Sequence, residues 1–205
     1  MIKPSIRKKK YYKIYKDDEF LGSIPERFVP AEYFINPEKE ISEDFLIFVQ
    51  EWVYKNAQDK LLDYLSKIEK PVYDCRLFLK RHEMPDDVIS VVIKEAEERN
   101  WVSDKRYAEM YISDSIYCGR SSLEIKHNLL LKKIDVVLID NLLKEGYNED
   151  TQNEVLENLI SSLLKRYENI EKGKLFEKIA TTLYRKGFKY NEYEDILRKR
   201  IVSGE

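Results

Sequence analysis

A pattern of six apolar positions occurs three times along this 205-residue chain, and it constrains the fold more than any other feature. The second copy lies 50 residues after the first, and the third lies 54 residues after the second. Internal repeats with a period near 50 residues are typical of helical arrays, in which each unit buries its open face against the next. The equivalent residues are Cys75, Leu79, Met84, Ile89, Val92 and Ile93 in the first copy, Ile125, Leu129, Ile134, Ile139, Leu142 and Leu143 in the second, and Ile179, Leu183, Phe188, Tyr193, Ile196 and Leu197 in the third.

The middle copy, residues 120–148, predicts two short helices joined by a tight turn. Ser121 and Glu124 have the spacing of a reciprocal helix N-cap at the start of the first helix. Gly146 follows the last apolar residues, and it predicts that the second helix ends there with a glycine in the left-handed conformation. The apolar residues that define the two helix faces are Leu123, Ile125, Leu129 and Leu130 in the first helix and Val136, Ile139, Leu142 and Leu143 in the second.

A further helix precedes each pair, so each repeat has three helices and the chain has nine main helices. We therefore predict a mainly α fold, with three tandem three-helix repeats in an elongated curved array and a small N-terminal β-hairpin module in front of them. The predicted domains are residues 1–41 for the hairpin module, 42–100 for repeat 1, 101–149 for repeat 2 and 150–205 for repeat 3.

The first 70 residues predict the hairpin and one long helix. Two β-favouring runs, residues 11–15 and 20–24, are separated by a polar turn at residues 17–19. Ser42 then begins a helix in which apolar residues recur every three or four positions until Pro71. If this helix continues to Ile68, it is about 40 Å long at 1.5 Å per residue.

Composition excludes several classes of protein. No run of about 18 uncharged apolar residues is present, so we expect no membrane span. The basic N-terminus is not followed by an apolar segment, so it does not resemble a secretory signal. Cys75 lies on an apolar helix face, and neither it nor Cys118 has the spacing of a metal ligand set, which favours buried or free thiols in a reducing compartment. We therefore predict a cytoplasmic protein.

The sequence lacks the motifs of an enzyme. It has no glycine-rich phosphate loop and no nucleophile elbow. His82 and His127 lie in different repeats, away from any cysteine or carboxylate cluster, so no metal site is expected. The helical carboxylates fall opposite the apolar stripes, where a solvated face is usual. We predict a non-catalytic protein without metal or cofactor.

Charge is distributed unevenly, although the net charge is only −2. Residues 1–16 hold seven basic residues and no acid, residues 17–63 hold twelve acids against four bases, and residues 164–200 hold eleven bases against six acids. Basic residues also end the first helix of each pair. They could complement the negative end of the helix dipole, which needs no partner, or they could form a repeating row of positive charge that binds a partner with a repeat of its own. The two interpretations are compatible and have equal weight. The predicted partner-binding residues are Lys80, Arg81, Lys126, Lys132, Lys133, Arg185, Lys186 and Lys189.

Lysines alternate with tyrosines in the hairpin module, and the role of these lysines has two possible interpretations. They could form an accessory basic site that holds a phosphate backbone while the rings stack on bases. They could also keep an edge hairpin from pairing with other strands, and this second interpretation is favoured. The residues concerned are Lys8, Lys9, Lys10 and Lys13.

Several short motifs occur in an order and spacing that point to a known family. Val102-x-Asp104-x-x-Tyr107-Ala108 is similar to an L-D-D-x-R-[YF]-A segment, and Gly119-Arg120 with Glu124-Ile125 and Lys132-x-Ile134 is similar to a K-G-x-x-x-I…L…K-G-I run. Lys186-Gly187-Phe188 repeats the last element of that run. Together these motifs resemble the RecX family, the modulators of the bacterial RecA recombinase, and the hairpin resembles an extension carried by a subset of the family. The chain departs from the family pattern at Ser103, where an acid is usual, and at Glu83 and Lys133, which replace glycine.

The resemblance implies a monomeric regulator that binds the RecA nucleoprotein filament and mainly inhibits recombinase and coprotease activity, in DNA repair and the SOS response. Single- or double-stranded DNA would be a second partner. One alternative is an autonomous DNA-binding protein that uses its repeats as helix-turn-helix units. The acidic face predicted for residues 86–99 disfavours that alternative, because phosphates repel carboxylates. A third interpretation is an adaptor for an unrelated protein.

Overall fold

The N-terminal residues form a three-stranded antiparallel sheet in the order β1-β2-β3, with β1 Ile2–Pro4, β2 Tyr11–Lys16 and β3 Glu19–Pro25. The computed structural model describes residues 1–6, 9–36 and 39–203. Strands β2 and β3 confirm the predicted hairpin. Strand β1, which pairs Ile2 with Ile14, was not predicted, because three residues ending in proline give no alternation to recognise.

Helices account for most of the remaining chain and confirm the mainly α prediction. The long helix α2 is capped by Ser42, whose side chain accepts a hydrogen bond from the Phe45 N–H at 3.4 Å. It ends at Leu65, three residues before the predicted Ile68. A 3₁₀ turn at Glu26–Phe28 precedes the helices α1 Glu32–Ile35, α2 Glu43–Leu65, α3 Val72–Arg81, α4 Asp86–Glu98, α5 Asp104–Tyr117, α6 Ser122–Leu131, α7 Val136–Gly146, α8 Glu149–Arg166, α9 Lys172–Arg185 and α10 Tyr190–Ser203.

The helices after α1 pack as three trios, α2–α4, α5–α7 and α8–α10, and each trio has its own apolar cluster. Of the eighteen equivalent apolar positions, seventeen are buried and only Ile196 is half-buried. The residues at the first of these positions, Cys75, Ile125 and Ile179, are each 0% exposed. The interval between the second and third copies is four residues longer than the interval between the first and second, and the leading helix α8 has 18 residues against 14 in α5.

Two compact units contain these elements. Met1–Ser103 holds the sheet and α1–α4, and Asp104–Glu205 holds α5–α10. In the first unit the sheet packs on α2, and its inward residues Ile14 and Ile24 are fully buried. Gly22 of β3 lies directly against Val53 of α2, so the strand and the helix approach closely at this point.

The joints between the paired helices have one backbone form in all three repeats. The residue after the helix cap has positive φ each time: Glu83 at 58°, Lys133 at 61° and Gly187 at 83°. Two backbone hydrogen bonds close each joint, for example Lys133 N–H to the Leu130 carbonyl at 2.9 Å and Ile134 N–H to the Leu129 carbonyl at 3.3 Å. This is the Schellman arrangement, which glycine normally completes. Two of the three joints therefore close with a residue that has a Cβ.

Other details of the middle repeat differ from the prediction. Gly146 ends α7 as expected, but it lacks the left-handed conformation, and Tyr147 caps the helix with φ −128°. Ser121 caps α6, since its hydroxyl accepts from the Glu124 N–H at 3.1 Å. Leu123, Leu130 and Val136 belong to the predicted apolar faces, yet they are 57%, 39% and 44% exposed. A 3.6-residue period is therefore not sufficient to place these three side chains in the core.

We expect the Lys133→Gly substitution to stabilise the protein by about 0.5–1 kcal/mol. The left-handed conformation costs a residue with a Cβ about 1 kcal/mol or more, and glycine removes that cost. The greater freedom of glycine in the unfolded chain offsets part of this gain. The midpoint of urea unfolding, followed by far-UV circular dichroism, measures the change. Lys132→Gly is the matched control: Lys132 has φ −84°, so glycine there relieves no strain and should not stabilise the protein. Equal gains for both variants would contradict this account of the joint.

Candidate functional site

Five of the eight predicted cations lie at the C-terminal ends of the first helices of the pairs, as the sequence indicated. Lys80 and Arg81 are the last residues of α3, Lys132 is the cap of α6, and Arg185 and Lys186 are the last residue and the cap of α9. The last carbonyls of a helix carry partial negative charge, so cations are stabilised at this end. Each joint is therefore an exposed turn with positive charge beside it.

In the first joint the Lys80 ammonium lies 3.3 Å from the Asp86 carboxylate, and both side chains are exposed. Arg81 is exposed and has no ion pair within the described part of the chain. His82 caps α3 and packs on the Phe78 ring at 4.3 Å, with Nδ1 2.8 Å from the Phe78 carbonyl. His82 thus has a structural role in the turn.

The three predicted lysines in and near the second joint differ in their exposure and in their ion pairing. Lys126 donates to the Asp140 carboxylate, so this ammonium ties α6 to α7. Lys132 is half-buried at the cap. Lys133 is exposed at the left-handed position and has no ion pair among the described residues. Lys133 is therefore the cation of this joint that is most available to a partner.

The third joint contacts the N-terminus of α6. The Ser121 hydroxyl donates to the Lys186 carbonyl at 2.7 Å while it accepts from the Glu124 N–H. Arg185 and Lys189 are exposed and, among the described residues, have no side-chain ion pair. Because α6 has ten residues, the second and third joints lie about 15 Å apart, at opposite ends of this helix. The structure thus brings two of the three predicted basic joints onto one helix.

The hairpin lysines have different surroundings. Lys9 and Lys10 are exposed, whereas Lys8 lies outside the described residues. Lys13 is paired with Glu83 at 3.0 Å, and the Glu83 side chain is only 9% exposed. This ion pair joins β2 to the first helix joint, so Lys13 has a structural role that alternation along the strand did not reveal. The other Glu83 oxygen is buried without a hydrogen-bond partner in the described part of the chain.

Arg120 is a central residue of the second unit that charge patterns did not single out, although it belongs to the quoted Gly119-Arg120 motif. Its guanidinium donates to the Tyr111 hydroxyl at 2.6 Å and lies 3.6 Å from the Glu124 carboxylate. Its carbonyl accepts from the Tyr147 hydroxyl at 3.0 Å. Burial, with a further contribution from the Glu192 carboxylate, raises the pKa of the Tyr147 phenol well above its usual value. Arg120 therefore links α5, α6 and the end of α7.

Neither a metal-binding cluster nor a membrane-spanning helix occurs in the part of the chain that the structure describes. Its histidines, cysteines and carboxylates do not gather in groups of three that could hold a metal ion. None of its helices combines the length and the apolar character needed to cross a membrane.

Comparisons with known proteins find relatives over most of the chain, although no family model matches it. The regulatory protein RecX of Clostridium acetobutylicum is 26% identical over 199 residues, which cover 94% of this chain and 91% of the relative. RecX of Lactococcus lactis is 32% identical over 166 residues, but this chain spans only 61% of that protein. A RecX crystal structure matches 97% of both chains with a TM-score of 0.67 at 22% identity, and RecX from Lactobacillus salivarius matches 73% of this chain and 97% of its own with a TM-score of 0.64 at 25% identity.

The chain is similar to RecX proteins along nearly its whole length. This similarity confirms the resemblance first suggested by short motifs, and the helix trios and basic joints described above are features of a chain that resembles RecX, with the small antiparallel sheet before the first trio. The roles of individual cations are not given by this similarity and stay predictions.

Proposed function

We propose that the protein is a non-catalytic regulator that binds the RecA nucleoprotein filament and restrains its recombinase and coprotease activities. The observation that carries the proposal is the similarity to the Clostridium regulatory protein RecX over nearly the full length of both chains. Regulation of this kind needs no catalysed reaction at the binding site. A protein that binds one filament conformation more tightly than another shifts the filament toward the preferred state.

The exposed cations of the joints supply the proposed contacts. Lys133 lies at one end of α6, and Arg185 and Lys189 lie at the joint that contacts its other end. These three side chains are exposed and are not held by carboxylates within the described residues, so they can pair with carboxylates or phosphates of a filament. Lys126 is the weaker candidate, because Asp140 already neutralises its charge.

A titration of RecA ATPase activity on single-stranded DNA tests the proposal. The unmodified chain should inhibit hydrolysis, and the triple variant Lys133→Glu/Arg185→Glu/Lys189→Glu should need at least about tenfold more protein for the same inhibition, since charge reversal replaces attraction with repulsion. The control triple Lys55→Glu/Lys67→Glu/Lys165→Glu makes the same change in charge at other exposed lysines and should inhibit normally. Circular dichroism establishes that both variants are folded.

Three results would count against the proposal. Absence of inhibition by the unmodified chain would exclude filament regulation, and full inhibition by the charge-reversed variant would exclude these cations as contacts. Tight binding to DNA without RecA, with affinity falling steeply as salt rises, would instead favour an autonomous DNA-binding protein.

A further inference from the structure

Four aliphatic side chains of the second repeat are exposed around its helix joint. Leu130 and Leu131 at the end of α6 are 39% and 58% exposed, and Val136 and Val137 in the first turn of α7 are 44% and 63% exposed. We call these four residues the apolar joint patch. Single exposed aliphatic residues are normal, but a group around one joint is a feature of interaction sites.

The other two repeats show that the fold does not require apolar residues here. The four positions nearest the joint are exposed in all three repeats. Repeat 1 has charged residues at these positions and repeat 3 has mostly polar and aromatic ones, yet their joints have the same backbone form. The equivalent residues are Leu130, Leu131, Val136 and Val137 in repeat 2, Lys80, Arg81, Asp86 and Asp87 in repeat 1, and Tyr184, Arg185, Tyr190 and Asn191 in repeat 3. The joint therefore does not need aliphatic residues at these positions in order to fold, and the patch is a feature of the surface of repeat 2.

Charges of both signs lie beside the patch, and one cation among them is available. Lys133 lies between the α6 and α7 residues of the patch, is exposed and has no ion pair among the described residues. Of the nearby acids, Asp135 faces the positive end of the α7 dipole as its N-cap, accepting from the Leu138 N–H at 3.0 Å, and Asp140 is paired with Lys126. The patch thus combines an apolar centre with one available ammonium group at its edge.

We propose that the apolar joint patch binds a protein surface that has an apolar centre and carboxylates at its edge. This inference rests on the proposed function and deepens it: the patch would contact the protein subunits of the RecA filament and not the DNA. Aliphatic side chains gain little from phosphates and offer no ring for base stacking, whereas burying them against another apolar surface is favourable. Lys133 beside the patch complements a carboxylate on such a partner.

A second copy of this chain fits the patch less well. A two-fold pairing places the same surface on both sides, so it would bring Lys133 of one copy toward Lys133 of the other. A stable dimer also needs about 800 Å² of contact on each partner, and four partly exposed aliphatic side chains supply only the centre of such an area. The complementary protein surface is therefore the occupant that the charges favour.

Exchange of the patch for the residues of repeat 1 tests the inference. The variant Leu130→Lys/Leu131→Arg/Val136→Asp/Val137→Asp installs residues that the same joint already carries elsewhere in this chain, including the Lys80–Asp86 pair. It adds two positive and two negative charges, so long-range electrostatics change little. Binding to RecA filaments on single-stranded DNA, measured by co-sedimentation, should weaken at least about tenfold, because the variant places charged groups where the partner would cover aliphatic side chains, and burying unpaired charges is costly.

A control variant and two further measurements separate the outcomes. Leu62→Lys/Val202→Asp changes two exposed apolar residues outside the patch, also without a change in net charge, and should bind filaments normally. Normal binding by the exchanged variant would overturn this inference and leave the proposed function standing, whereas no binding by the unmodified chain would overturn both. A concentration-dependent dimer in sedimentation equilibrium that the exchange abolishes would assign the patch to self-association and overturn the inference. Thermal unfolding of the exchanged variant close to that of the unmodified chain shows that weaker binding is not caused by unfolding.

Discussion

Gly22→Ala will destabilise the first unit by about 3–5 kcal/mol, the largest effect we expect from any single substitution considered for this protein. Gly22 has φ +138°, a conformation that residues with a Cβ rarely adopt and that costs about 1–3 kcal/mol when forced. A Cβ at this position would lie 2.5 Å from Val53 Cγ2 and 3.0 Å from Cγ1. Val53 is itself buried in the core, so α2 must move away from the sheet, at an overpacking cost of about 1–3 kcal/mol.

Tryptophan fluorescence during urea unfolding measures this loss. The chain has two tryptophans, and both Trp52 and Trp101 lie in the first unit. The control Gly173→Ala makes the same chemical change on α9, where a Cβ would meet nothing within 4 Å, and alanine should be neutral or stabilising by up to about 1 kcal/mol. Because α9 lies in the second unit, far-UV circular dichroism is recorded alongside fluorescence for both variants. If Gly22→Ala unfolded at the same urea concentration as the unmodified chain, the close approach of β3 and α2 would be wrong.

Gly187→Ala should destabilise the second unit by about 2–3 kcal/mol. Alanine in the left-handed conformation at φ +83° costs about 1–2 kcal/mol. Its Cβ would also lie 2.7 Å from the Ser121 hydroxyl, which must then move and release the Lys186 carbonyl. That lost hydrogen bond contributes about 1 kcal/mol more. Unfolding by urea, followed by far-UV circular dichroism, reports the change.

Lys133→Ala is the matched control for this second prediction, because Lys133 occupies the equivalent joint position and already has a Cβ. The exchange leaves the backbone strain unchanged, so its effect should stay within about 0.5 kcal/mol. Equal destabilisation by Gly187→Ala and Lys133→Ala would show that contact with Ser121 is not what distinguishes the third joint.

The sequence predicted the helices and their buried faces well, because the hydrophobic period repeats three times and each copy supports the others. Seventeen of the eighteen equivalent positions are buried. Leu123, Leu130 and Val136 show the limit of this reasoning, since they follow the apolar period and yet lie outside the part of the helix face that contacts neighbouring helices. Strand β1 was missed for a related reason: only its pairing with β2 identifies it as a strand.

The candidate site was predicted in outline and not in its contacts. Charge at helix ends is visible in the sequence, so the joints were located correctly. Which lysines are available depends on residues far away in the chain: Lys13 pairs with Glu83, and Lys126 with Asp140. The left-handed conformation of Glu83 and Lys133 was also hidden, because neither residue signals it as glycine does.

The different lengths of the leading helices have a consequence for how such a chain can vary. Helix α8 exceeds α5 by four residues, and four residues rotate a helix by about 400°, which is 40° more than a full turn. An insertion of this size lengthens the helix by about 6 Å while the same side chains still point to the interior. Two inserted residues would instead turn the apolar stripe almost to the opposite side. A leading helix can therefore gain a full turn and keep its buried face, whereas the six apolar positions around each joint have the same spacing in all three repeats and leave no room there for an insertion.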